Sequence, residues 1–185
     1  MFKSFATLLL TTSLLIPSTS YAFDMDTAKN LYESKVKAWL ESSEVVSAIE
    51  QQNVKHESLS EIGVENLDTR WRSGDQAFIS SVLENELSKY LQGVVERGEG
   101  LYTEVFVMDN KGLNVGQSAK TSDYWQGDEA KFQESFGKGV DTIHLSDVDF
   151  DESTQTYQVQ MSVTISKDGA PIGAVTIGLD AEAVE

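Results

Sequence analysis

Tyr157-Gln158-Val159-Gln160-Met161-Ser162-Val163-Thr164-Ile165 alternates apolar and polar residues without a break, so a strand here has one apolar and one polar face. Lys167-Asp168-Gly169 supplies a turn. Ile172 to Leu179 then places Val175, Ile177 and Leu179 on one face and the smaller Ala174, Thr176 and Gly178 on the other. This predicts an antiparallel hairpin with room against its second face. Upstream, Leu101 to Asp109 is rich in β-formers, Asp109-Asn110-Lys111-Gly112 is a turn, and Leu113 to Gln117 returns as a second hairpin. Thr142 to Val148 adds another strand.

Between the hairpins lies Thr121-Ser122-Asp123-Tyr124-Trp125-Gln126-Gly127-Asp128-Glu129, two large aromatics beside three carboxylates. Asp128 and Glu129 favour the start of a short helix carrying Phe132 and Phe136 on one side, ended by Gly137 and Gly139. Aromatic walls with a few placed carboxylates suit a pocket for a small molecule. Against this stands plain packing, with Trp125 joining Phe132 and Phe136 in a small core.

The amino-terminal half reads as helical. From Met25 to about Val54 there is no Pro or Gly, and Ala28, Tyr32, Val36, Trp39, Val46 and Ile49 recur near helical spacing, with Ser42-Ser43 as the weak point. Such a helix runs roughly 45 Å at ~1.5 Å per residue, more than one domain needs, so part of it is expected to pack on a partner or form a homodimer. The segment Asn66 to Arg72 is polar with Leu67 and Trp71 embedded. Ser73-Gly74-Asp75-Gln76 reads as a capping box opening a second helix with stripe Ile79, Val82, Leu83, Leu87, Tyr90, Leu91 and Val94, stopped by Gly98 and Gly100. The expected architecture is α+β: a long helix and a second helix packed on about five antiparallel strands.

Residues 1–22 resemble a secretory signal, with Lys3, an apolar stretch Phe5 to Ile16, and Ser20-Tyr21-Ala22 before the cleavage point. The expected mature chain, residues 23–185, is then one periplasmic domain with no membrane span. It carries no further membrane helix or output module before Glu185, so any signal is expected to pass through a membrane receptor or sensor kinase. The chain has no cysteine, so its core must suffice without disulfides. A formal net charge of −16 repels nucleic acid and anionic lipid.

Catalytic signatures are missing: there is no nucleophile elbow, phosphate-cradling glycine loop or His-x-x-x-His. His56 reads as a solvated or capping residue near a helix end, and His144 as a strand residue in packing or at the surface. The acidic run Asp147 to Glu152 reads as a solvated turn, since Glu152 stands where a calcium loop needs Gly. Neither an enzyme, a cofactor nor a metal is expected.

The order strand, Asp-x-x-Gly turn, strand, aromatic loop with short helix, then a closing hairpin with Lys-Asp-Gly, Pro171-Ile172-Gly173-Ala174 and the final Asp180 resembles the Cache/PDC family of extracytoplasmic sensor domains. The resemblance covers about Met25 to Asp180. It implies a PAS-like sheet and a binding site for an amino acid, carboxylate, amine or other small polar metabolite, lined by Asp123, Tyr124, Trp125 and Asp128, with Asp151 and Tyr157 at bordering positions. Amino-acid-binding members place an Arg two residues before the Trp-aromatic pair, where it clamps the ligand carboxylate. Here Asp123 stands two before Trp125, and an Asp cannot replace a guanidinium fork. Arg70 or Arg72 is left to supply that clamp from elsewhere; otherwise an amine or polar neutral ligand fits better. The alternative is a protein-interaction module acting through the long helix, its pocket filled by side chains.

Overall fold

The computed structural model describes residues 23–151 and 155–183; the signal segment and Glu152 lie outside the described residues. The amino-terminal helix runs as α1 (Met25–Leu31), a π-helical turn (Tyr32–Val36) and α2 (Lys37–Leu40). It breaks at the expected serines: Ser42 caps α3 (Ser43–Lys55) by accepting from the Val45 N–H. The break folds both halves onto one core, so Ala28, Val36, Leu40, Val45 and Ile49 are all essentially buried. Both halves of the helix thus contribute to the core of the chain itself.

α4 (Glu61–Arg72) was not legible in the polar segment that holds it. It is capped by Ser60 and buries Val64, Asp68 and Trp71. The second expected helix is two: α5 (Gln76–Leu83), capped by Asp75 rather than by Ser73, and α6 (Glu86–Arg97), capped by Asn85. A carboxylate one residue from the helix start outcompetes the serine because its oxygen reaches the Phe78 N–H at 3.1 Å.

The sheet contains β1 (Tyr102–Met108), β2 (Asn114–Gln117), β3 (Ile143–Leu145), β4 (Asp149–Asp151), β5 (Thr156–Lys167) and β6 (Ala170–Asp180). Its order is β2-β1-β6-β5-β3, all antiparallel, with β4 also on β5. The strand expected over Thr142 to Val148 stops at Leu145. Ser146 continues the edge with its hydroxyl, accepting from the Gln160 N–H, and part of the acidic run resumes pairing as β4 rather than forming only a turn.

α7 (Ala130–Gln133) and a 3₁₀ turn (Phe136–Lys138) lie between β2 and β3. Val159, Met161, Val163 and Ile165 of β5 join Val175, Ile177 and Leu179 of β6 and Val105 and Val107 of β1 against the helices, as the alternation requires. In register, Val105, Ile177 and Met161 form one row across the sheet, and Val107, Val175 and Val163 the next. The opposite face holds Phe106, Met108 and Ala174 under Phe132 and Phe136, whose rings stack at 4.9 Å. Among the described residues no helix is long and apolar enough to cross a membrane.

Candidate functional site

The aromatic loop is held from two sides. Asp68 on α4 accepts the N–H groups of Tyr124 and Trp125 on one carboxylate oxygen, at 2.9 and 3.1 Å, and pairs with the Arg72 guanidinium at 2.9 Å on the other. From the other side, the Asn114 N–H donates to the Tyr124 carbonyl and the Gln126 N–H to the Gly112 carbonyl, so Leu113 and Trp125 bridge like strand residues. Gly112, at φ +79°, and Gly127 let the two backbones touch: a Cβ on Gly112 would collide with Gly127. The Trp125 indole donates to the Lys111 carbonyl at 2.9 Å, which fixes the ring.

The turn beneath the loop depends on Asp109, which is fully buried. One carboxylate oxygen accepts the Lys111 and Leu113 N–H groups; the other accepts Gln52 at 3.0 Å and faces His56 Nδ1 at 2.8 Å. His56 sits at the helix end as expected, but it is buried and hydrogen-bonded to Asp109 rather than solvated. The partner 53 residues away leaves no local signal for this in the sequence.

Four of the seven expected site residues converge. Arg72, Asp123, Trp125 and Asp128 line a cleft of about 440 Å³ together with Glu65, Asp68, Thr69 and Glu129. Five carboxylates face one guanidinium, and that guanidinium is already engaged by Asp68 and lies 3.8 Å from Asp123. The clamp for a ligand carboxylate is therefore committed within the chain, whereas Asp128 and Glu65 carry no ion pair among the described residues.

Tyr124 does not face this cleft: it is 3% exposed and packs edge-on against Phe78 at 4.8 Å and tilted against Trp71 at 5.6 Å. Burial, reinforced by the Asp109 carboxylate, pushes its hydroxyl pKa far up despite a hydrogen bond with Gln52. The ring packs in the core with Trp71 and Phe78 and does not line the cleft. Trp125, by contrast, packs with the Trp71 group only at its margin and keeps one side on the cleft.

Asp151 and Tyr157 lie elsewhere. Tyr157 is 57% exposed on β5 and meets Phe150 edge-on. Asp151 lines a separate depression of about 310 Å³ with Ser146, Asp147, Asp149, Gln158 and Gln160. Behind these amides is Glu104, a buried carboxylate the sequence reading passed over. It accepts from Gln158 and Gln160 at 3.2 and 3.1 Å, and Gln158 also donates to Asp151. Gly178 makes this crossing possible, since a side chain there would strike Gln158 and Glu104. Burial raises the Glu104 pKa above the usual carboxylate value against the pull of the two amides, and the nearby Asp151 adds to the rise. Among the described residues no three His, Asp or Glu side chains converge as a metal site requires.

No protein-family model matches the chain, and no curated protein does. Among solved structures, the chain is similar to the sensor domain of E. coli DcuS, at 13% identity over 86% of this chain and 95% of that one, with a TM-score of 0.48. It is also similar to the ligand-binding domain of the Campylobacter jejuni chemoreceptor Tlp3 in complex with 4-methylisoleucine, at 15% identity over 80% of this chain, TM-score 0.41. A third is the sensor domain of the V. cholerae histidine kinase DctB, at 14% identity over 86% of this chain, TM-score 0.41. The chain spans 64% of the Tlp3 domain and 58% of the DctB domain. These similar structures are sensory or ligand-binding domains of chemoreceptors and histidine kinases, the class that the sequence resembles.

Two outcomes test this geometry. Asp68→Ala strands the Tyr124 and Trp125 N–H groups and should lower unfolding free energy by about 2–4 kcal/mol in urea titration, while Asp68→Asn, which keeps one acceptor, should lose less. For Glu104, a carboxyl whose folded pKa is raised binds more protons folded than unfolded, so its contribution to stability falls as pH climbs from the reference value of 4.5 towards the raised one. Stability measured from pH 4 to pH 7 should accordingly show Glu104→Gln gaining on the wild type as pH rises; a constant difference would refute it.

Proposed function

We propose that residues 23–185 act as a single small-molecule-binding sensor domain, exported by the segment 1–22 to the periplasm, which passes its state to a membrane receptor or sensor kinase. It binds rather than catalyses, and its ligand carries a positive amine group. The observation that supports this most directly is the cleft beside Trp125, where Glu65, Asp68, Asp123, Asp128 and Glu129 surround a single, already paired Arg72. An ammonium entering it finds carboxylates to neutralise it and an indole to lie against, a combination worth ~0.5–2 kcal/mol from the ring alone. A ligand recognised by its carboxylate finds no free guanidinium there.

Thermal melting of the protein against amines, amino acids and carboxylates tests the reading. An amine at 100 times its dissociation constant should add ~2.7 kcal/mol, a shift of roughly 5–10 °C. Trp125→Ala and Asp123→Asn should each abolish most of that shift. A response to dicarboxylates alone, or one insensitive to both substitutions, contradicts the assignment.

A further inference from the structure

The acidic cleft has a neighbour. A second depression of about 370 Å³ is lined by Leu59, Glu61, Val64, Glu65, Lys111 and Trp125. Glu65 and Trp125 line both, so the two hollows adjoin along one side of α4. Glu61, Glu65, Asp68, Thr69 and Arg72 stand four, three, one and three residues apart, a single helical face, and Glu61 to Arg72 spans roughly 16 Å at ~1.5 Å per residue. The chemistry changes along that length: Leu59, Val64 and the indole give the upstream end an apolar floor, while Asp68, Asp123 and Asp128 make the downstream end anionic.

The indole shared by the two hollows is held in place by hydrogen bonds. Trp125 is fixed at its indole N–H by Lys111 and at its backbone by Asp68, and the Lys111–Gly112 turn is fixed by Asp109. Each hollow, at about 440 and 370 Å³, falls in the usual range of small-molecule sites.

Resting on the amine reading above, we infer that the ligand is an amphipathic monoamine, an alkyl- or arylalkylamine. Its ammonium lies at Asp123 and Asp128 and its hydrocarbon body lies upstream over Trp125, Leu59 and Val64. Charge complementarity sets the polarity. Six carboxylates line the two adjoining hollows against Lys111 and the Asp68-paired Arg72, so a cation is favoured. The anionic end, where Asp128 is exposed and Asp123 half-buried, is where the charge sits. A short hydrophilic amine would leave the apolar end wet, and a zwitterion would have to place its carboxylate among Glu61 and Glu65.

Isothermal titration of the full chain with methylamine, butylamine, hexylamine and 2-phenylethylamine, with hexan-1-ol as the neutral control, tests the inference. Affinity should rise roughly three- to fourfold for each methylene that enters the groove, and hexan-1-ol should not bind. Leu59→Asn should flatten the dependence on chain length, and Asp128→Asn should weaken every amine by a similar factor. If methylamine binds in an Asp128-dependent way but longer amines gain nothing, the cleft stands as an amine site and the amphipathic ligand is refuted. If no amine binds at all, the amine reading itself fails. Should Leu59→Asn not fold, the wild-type length series decides the matter alone.

Discussion

A carboxylate with no exposed surface, Asp109, ties the two halves of the molecule together. Removing its charge from water is costly unless every lone pair finds a donor. Here four do: two backbone N–H groups from its own turn and two side chains, Gln52 and His56, from the last turn of α3. The helix is thereby locked to the β1–β2 turn. Gln52 also donates to the carbonyls of Leu113 and Asn114, so the same side chain guides the chain out of the turn. Since Gly112 and Asn114 pair with the backbone of the aromatic loop, the position of Trp125 follows from the turn that Asp109 sets.

The two faces of the sheet divide the remaining labour. The helix-covered face is continuous hydrocarbon from Val105 to Ile165 and supplies cohesion. On the other face, Phe106 and Met108 pack under Phe132, and then the surface turns polar at Ser162, Thr176, Gln158 and Glu104. Lys131 places its ammonium 5.5 Å above the Phe106 ring and pairs with Glu129, bridging this face to the loop beyond. The carboxylates of the cleft sit outside this packing, on and beside α4.

Strand pairing was largely legible because alternation over nine residues of β5 allows one register of faces and no other. The interruption near Ser42 was visible too, for a serine there is a good cap. What escaped the sequence was long-range. α4 has a polar exterior and an internal Gly63, so its periodicity is weak, although Asp68 and Arg72 at i and i+4 were a readable pair. Buried titratable side chains at His56, Asp68, Asp109 and Glu104 contradict the expectation that ionisable groups stay outside, and only their hydrogen-bond partners make them tolerable. Within the loop, Tyr124 and Trp125 are adjacent residues with opposite fates, because the strand-like backbone turns one ring inward to Trp71 and Phe78 and the other towards the cleft. Asp151 and Tyr157 looked like neighbours of the loop only by resemblance; the sheet carries them to its far edge.

The most direct measurement is backbone amide hydrogen exchange of Asp109→Asn against the wild type, read separately for α3, for the turn 109–114 and for the loop 121–127. Replacing one carboxylate oxygen by an amide turns an acceptor towards His56 or the turn into a donor, so the loss should spread along the chain of contacts. The account predicts accelerated exchange in the turn and in the Tyr124–Gln126 segment together, while the β5–β6 core keeps its protection. Unchanged protection of the loop alongside a loosened turn would show that Trp125 is positioned without Asp109, and would contradict it.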